Sequence, residues 1–180
     1  GKWLFLRDAG PTEIGAFGLA SSHDPLLVTD LIVPRQTCTE VSVRFDEASL
    51  AELFEDLVDR GCTPRQFARI WLHTHPGDCP QPSFTDESTF AEKFSDPDWA
   101  VMGILARQGA TYARLRWNLT PSVDVELPVS VTYTVPFGPS RFEEWEALYR
   151  EQVVLEEPRW FRPVPEWEAD LSWWGWEEEL

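Results

Sequence analysis

At 180 residues, 43% of them hydrophobic, the chain is one domain by length and long enough to bury a substantial core. Its formal net charge of −16 excludes a nucleic-acid surface, which needs clustered Lys and Arg to displace counterions. No run of eighteen apolar residues occurs and the opening GKWLFLRDAG lacks a signal-peptide shape, so the expectation is a soluble protein with no membrane partner.

In chain order, residues 3–6 form a short apolar run that predicts a strand or a brief lead-in, broken by Gly10-Pro11. Residues 12–20 predict a buried strand with glycines where backbone or ligand approaches closely. Strands are also expected over 26–33 and 39–45. In Glu40-Val41-Ser42-Val43-Arg44-Phe45 apolar and polar residues alternate, which puts Glu40 on a wet face. From 46 to 60 the period becomes helical, with Leu50, Leu53, Phe54, Leu57 and Val58 on one stripe, Asp46 as N-cap and Gly61 as stop.

Residues 64–67 predict a turn into a strand over 68–74, and a second helix follows over 85–94 with Phe90 and Phe94 inward. A hairpin over 98–105 and 111–119 turns at Gln108-Gly109, another long strand is expected over 123–135, and a helix over 140–153 carries Phe142, Trp145, Leu148 and Tyr149 on one side. Strands mixed with helices in this order predict an α+β fold, a mixed sheet flanked by helices. From Leu155 the composition changes: five of the ten tryptophans and eight acidic residues crowd into the end of the chain, against two basic ones. Three units are thus expected: a main domain over 1–137, a helix over 138–154 and an acidic, Trp-rich tail over 155–180.

Chemistry is concentrated in residues 71–86, WLHTHPGDCPQPSFTD. His73 and His75 are two apart in an extended segment, so both side chains point to the Trp71 face and can grip one cation, before Pro76 ends the strand. Asp86, eleven residues after His75 and just inside a helix start, offers a third ligand. Two imidazoles and a carboxylate leave one tetrahedral position open for water, as in catalytic rather than structural zinc. Ser83 and Asp86 also read as a helix cap, and the two roles are compatible. Cys38, Cys62 and Cys79 are odd in number and hold no Cys-x-x-Cys, so neither a disulfide framework nor a zinc ribbon is indicated and a reducing cytoplasm fits. Cys79, lying between the ligands, is expected to be a loop residue rather than a fourth ligand.

His73-Thr74-His75-Pro76, six residues, then Ser83-Phe84-Thr85-Asp86 resembles without gaps the His-x-His-Pro-x6-Ser-x-x-Asp motif of the JAMM (MPN-plus, JAB-type) zinc metallopeptidases. The resemblance covers roughly residues 2–135 and is closest to the stand-alone bacterial type. It implies a curved, largely antiparallel sheet flanked by helices, cytidine-deaminase-like in outline. It also implies a catalytic glutamate on an early strand, and Thr12-Glu13-Ile14-Gly15-Ala16-Phe17-Gly18 is similar to that segment. Glu40 is the rival, disfavoured by its solvent-facing parity. In the roles so implied, one Zn2+ sits on His73, His75 and Asp86 and lowers the pKa of its water from about 16 toward about 7. Glu13 takes the proton and passes it to the leaving amine, and Ser83 donates to the oxyanion.

The implied substrate is the C-terminal tail of a ubiquitin or ubiquitin-like protein, held by strand addition and released from a conjugate or a precursor, with activating and conjugating enzymes of the same pathway as further partners. Linkage-selective members of the family often carry an extra loop after the metal motif, and the short stretch between Phe94 and Asp98 leaves almost no room for one, so the resemblance does not imply narrow linkage selectivity. A non-catalytic MPN-type scaffold is an alternative that the intact His73, His75, Asp86 and Glu13 disfavour. A zinc deaminase is a weaker one, since it would show His-x-Glu and Pro-Cys-x-x-Cys.

Overall fold

The computed structural model of the chain describes residues 1–130 and 138–156. Its elements run α1 (Lys2–Asp8), β1 (Gly15–Ala20), β2 (Val28–Ile32), β3 (Gln36–Thr39), β4 (Ser42–Phe45), α2 (Glu47–Asp59), α3 (Pro64–Phe67) and β5 (Ile70–Thr74). Then follow α4 (Phe84–Lys93), β6 (Trp99–Leu105), β7 (Thr111–Trp117), β8 (Val123–Glu126), α5 (Phe142–Gln152) and β9 (Val153–Leu155).

A six-stranded mixed sheet has the order β2-β1-β5-β6-β7-β8, and helices flank it. Within it only β5 and β6 run parallel. A parallel pair needs a crossover, and here the crossover is the loop after Thr74 together with α4. The loop and helix that carry His75, Ser83 and Asp86 therefore leave from the carboxyl end of a central strand. A three-stranded sheet, β4-β3-β9, stands beside it, with β9 parallel to β3.

Side-chain parity divides the core. Phe17, Trp71 and Met102 share one face of the large sheet and meet Phe90 and Phe94 of α4 together with Leu50 and Phe54 of α2. Burying each such aromatic or aliphatic side chain contributes about 2 kcal/mol. On the far side Leu6 of α1 joins Ile14, Ala16, Cys38 and Val153, with Leu148 and Tyr149 of α5 packed against them. Asp46 caps α2, its carboxylate accepting from the Ser49 N–H at 2.8 Å, and Gly61 takes φ +86° just after the helix, as a stop requires.

Several expectations change. Residues 2–8 form a helix, because α1 has α5 to lie against, Phe5 meeting Phe142 and Trp145 at ring separations of 5.9 and 5.8 Å. Residues 39–45 are not one strand: Thr39 closes β3 and Ser42 opens β4, so Glu40 stands exposed in a hairpin turn. Residues 64–67 form a short helix rather than a turn, started by Pro64 behind a Thr63 capping box. The strand expected over 123–135 ends at Glu126 within the described residues, and its 131–135 portion lies outside them. The helix expected over 138–154 is shorter, Phe142–Gln152, and Val153–Leu155 form β9, which pairs with β3. The Trp-rich tail beyond Glu156 lies outside the described residues. No helix among the described residues is long and apolar enough to cross a membrane.

Candidate metal centre

β5 runs extended through Trp71 and His73, and its end delivers His75 beside them, with His73 Nε2 and His75 Nε2 3.2 Å apart. After the Pro-rich loop, Ser83 caps α4: its hydroxyl accepts from the Asp86 N–H at 3.2 Å, while Asp86 Oδ2 accepts from the Ser83 N–H at 2.6 Å. That reciprocal pair fixes Asp86 in the first helical turn and turns Oδ1 to 3.2 Å from His73 Nε2. The ligand atoms of His73, His75 and Asp86 all lie within 4.8 Å of one another.

The donor set fits a tetrahedral divalent ion. Bonds of about 2.0 Å put neighbouring ligand atoms about 3.3 Å apart, close to the separations of His73 Nε2 from both partners. The same spacing leaves room for a cation between the three donors. His75 Nδ1 faces the Cys79 carbonyl oxygen at 2.8 Å. A carbonyl only accepts, so Nδ1 carries the hydrogen and the lone pair of the neutral ring is at Nε2, aimed at the other donors. Cys79 thus takes part through its backbone. Its exposed thiol is outside the ligand group, as the sequence reading expects.

Glu13 arrives from the opposite direction. It precedes β1, and its Oε1 lies 3.6 Å from His75 Nε2, while Oε2 is buried with no hydrogen-bond partner. Its carboxyl is pushed up to about 8, chiefly by burial and further by Asp86, with His75 pulling the other way. Burial likewise pulls the His73 imidazole below its ordinary value despite Asp86. Burial also acts downward on His75, but Asp86, the Cys79 carbonyl and Glu13 together hold it above the ordinary value. Asp86 is buried too, yet His73 and His75 beside it keep its carboxylate far below the usual range. The His73 side chain has no exposure and that of His75 has 12%, so the cluster opens to solvent on the His75 side.

Backbone clamps hold Glu13 there. Its N–H donates to the Thr39 carbonyl at 2.9 Å. The Ile14 N–H donates to Thr74 Oγ1 at 3.0 Å, and the Thr74 N–H returns a bond to the Ile14 carbonyl at 2.9 Å. Gln36, buried, accepts from the Gly15 N–H at 2.7 Å and donates to the carbonyls of Gly15 and Pro34, both at 2.9 Å. Gly15 stands opposite His73 in the β1–β5 register, and a Cβ there would meet Phe45 Cζ at 2.6 Å and Val43 Cγ1 at 2.9 Å.

The structure brings Glu13, His73, His75 and Asp86 together and sets Ser83 against Asp86 as its cap. It leaves Glu40 outside. Three residues that hold the cluster are absent from the sequence reading in that role. Gln36 clamps the Glu13 strand. Trp71 stacks on His73 at 4.4 Å between ring centroids. Arg114 of β7 grips Glu87 through two bonds of 2.9 and 2.7 Å, tying the first turn of α4 to the sheet. Only Trp71 had a sequence signal, its shared parity with His73; Gln36 and Arg114 come from strands far along the chain. No protein-family model matches the chain, and none of the curated proteins matches it either.

Proposed function

We propose that the chain is a zinc-dependent peptidase or isopeptidase of the JAMM (MPN-plus) kind, with an MPN-type sheet as its scaffold. Its substrate in this reading is a ubiquitin-like protein, cut at the bond after its C-terminus. The single observation that carries the reading is the convergence of His73 Nε2, His75 Nε2 and the Asp86 carboxylate, with Glu13 beside them and outside the ligand group.

A zinc ion held by His73, His75 and Asp86 would supply activation of water and polarisation of the scissile carbonyl. Glu13 handles the proton. Its Oε1 receives it from the attacking water as the C–O bond forms, and returns it to the amine nitrogen as the C–N bond breaks. In the metal-free site burial raises this carboxyl to about 8, so Glu13 holds a proton far more readily than an ordinary carboxylate. Ser83 uses its hydroxyl oxygen to accept from the Asp86 N–H, which leaves its hydrogen free to donate to the developing oxyanion. His73 and Asp86 stay fixed, the first by Trp71 and the second by its cap.

Substrate strand addition is supported by the position of β4. It is an edge of the three-stranded sheet, and its Val43 and Phe45 lie against Gly15, directly across from His73. An extended chain pairing with that edge would run toward the cluster. Three unpaired cysteines accord with a cytoplasmic setting.

The test is metal content followed by incubation with fusions of candidate ubiquitin-like proteins, read by intact mass. About one zinc per chain and cleavage directly after the ubiquitin-like C-terminus support the reading. Zinc without cleavage of any fusion would favour a non-catalytic scaffold, and no zinc would overturn both.

A further inference from the structure

The loop that carries His75 is held along one side by the β6–β7 turn. The His75 N–H donates to the Leu105 carbonyl at 3.1 Å, and the Arg107 N–H donates to the Gly77 carbonyl at 2.9 Å. Contact with β6 and its turn therefore continues past Pro76, where β5 has ended. Side chains make the last link: Gln108 Nε2 donates to Asp78 Oδ2 at 2.8 Å. A carboxylate only accepts, so the Gln108 amide presents its N–H to Asp78. One residue further on, the Cys79 carbonyl holds the hydrogen of His75 on Nδ1. Residues 75–79 are thus closed on themselves by the His75 ring and pinned from outside at Leu105, Arg107 and Gln108. The turn is anchored in its own right, since Arg7 Nη1 of α1 donates to the Ala106 carbonyl at 3.3 Å.

The conformation of Gln108 gives that link its interest. Gln108 takes φ +57° and ψ +13°, Gly109 takes φ +80°, and the Ala110 N–H closes on the Arg107 carbonyl at 3.3 Å. Positive φ at both central residues is the type I′ hairpin turn, which favours Asn or Asp before Gly because a short polar side chain tolerates the left-handed region. Gln108 is the only residue other than glycine with positive φ among the described residues, and that conformation costs an ordinary L residue free energy. Asn would suit the turn better but is one methylene shorter. The side chain is exposed, so core packing does not select it. Local rules of turn chemistry are broken where a demand from elsewhere outweighs them, and here the side chain reaches out of the turn to the loop of a candidate ligand.

We propose, on the reading of His73, His75 and Asp86 as a metal centre, that Gln108 is a positioning residue for His75, acting through Asp78 and the Cys79 carbonyl. The three ligands are secured by different means. His73 has no side-chain exposure and stacks on Trp71, and Asp86, 4% exposed, is locked by its reciprocal bonds with Ser83. His75 is the most exposed of the three at 12%, and its ring is oriented by a carbonyl in a loop whose Gly77, Asp78 and Cys79 are all exposed. Such a loop has no core packing to keep that carbonyl in place. The hydrogen-bond partner of a ligating imidazole sets its tautomer and ring direction, so whatever fixes the partner also tunes the metal. The bond from Gln108 stops the loop from swinging at Asp78, directly beside the carbonyl that matters.

The test uses the full chain and sets two measurements side by side: zinc affinity, by competition with a chelator of known strength, and the melting temperature of the metal-free protein. Gln108→Gly removes the bond and the backbone strain together. Zinc should bind about tenfold more weakly, the lower end of what partners behind the ligands contribute, while the metal-free melting temperature holds or rises. Asp78→Ala should weaken zinc binding as well, and Asp78→Asn, which keeps an acceptor oxygen, should bind closer to the parent than to Asp78→Ala. Because both residues act through one contact, the double variant Gln108→Gly/Asp78→Ala should be no weaker than Asp78→Ala alone. Unchanged affinity in Gln108→Gly, additive losses in the double variant, equal losses in Asp78→Asn and Asp78→Ala, or a melting temperature that falls together with affinity would each overturn the assignment. Any of these in a parent that binds zinc leaves the metal centre standing, whereas a parent that binds none overturns both.

Discussion

The Cys79 carbonyl oxygen lies 2.8 Å from His75 Nδ1, and this backbone contact decides which nitrogen of His75 faces the cluster. With the hydrogen fixed on Nδ1, the neutral ring offers Nε2 to a metal, and protonation of Nε2 removes the ligand. Asp86 and Glu13 favour that protonated form and outweigh burial, so His75 in the metal-free protein titrates above the ordinary histidine value. Zinc affinity should therefore fall as pH is lowered through neutrality, and binding should release protons. Calorimetric titration from pH 6 to 8, in two buffers of different ionisation enthalpy, measures both. Affinity independent of pH would show that His75 is not a ligand.

Glu13→Gln separates a proton carrier from a ligand. Zinc content should stay near that of the parent, and turnover should fall by roughly 10²–10⁴-fold. Loss of the metal would move Glu13 into the coordination sphere instead.

The same residue makes a stability prediction for the metal-free chain. The folded state keeps a proton on Glu13 up to about 8, whereas the unfolded chain releases it in the ordinary carboxylate range. Stability linked to this group is present below that range and is lost as pH rises through about 8. Metal-free Glu13→Gln should thus lose less thermal stability than the metal-free parent between pH 5 and 9. Parallel melting curves across that window would show that Glu13 is not buried as described.

Gln36→Leu tests the clamp. It leaves the Gly15 N–H and the carbonyls of Gly15 and Pro34 without their partner, an effect of about 1–3 kcal/mol on folding. Because the clamped strand carries Glu13 and not the ligands, kcat should drop more than zinc affinity does. Equal losses would mean that Gln36 supports the whole cluster.

Ser83→Ala removes the cap of α4, about 1 kcal/mol of stability. If its hydroxyl also serves the oxyanion, kcat falls by about 10²-fold as well. Reduced melting temperature with unchanged kcat would leave Ser83 a cap alone.

Much of the cluster could be read from the sequence because it is local. His73, His75, Ser83 and Asp86 fall within one strand, one loop and one helix start, and strand parity with capping chemistry places all four. Glu13 was reachable only through the resemblance of residues 12–18 to an early strand of the JAMM family. Gln36, which orients that strand, was not, because its role depends on β3 passing alongside β1, a long-range packing that periodicity does not encode. The same limit explains α1. Its apolar residues look like a strand by composition, and only α5, arriving far later in the chain, supplies the surface that makes a helix the better answer. Glu40 is exposed, as its parity expects, but the strand around it is broken by a two-residue turn at Thr39–Ser42 without a glycine to mark it.

The parallel pairing of β3 with β9 joins Gln36 to Val153. Pairing between segments so distant loses much loop entropy before it gains any contact, so it forms late and slowly. On the ribosome, the three-stranded sheet cannot close until residue 155 has emerged. The Gln36 side chain that steadies Glu13 belongs to that sheet. A nascent chain is thus expected to gather its histidines and Asp86 first and to seat Glu13 firmly only once β9 has joined β3.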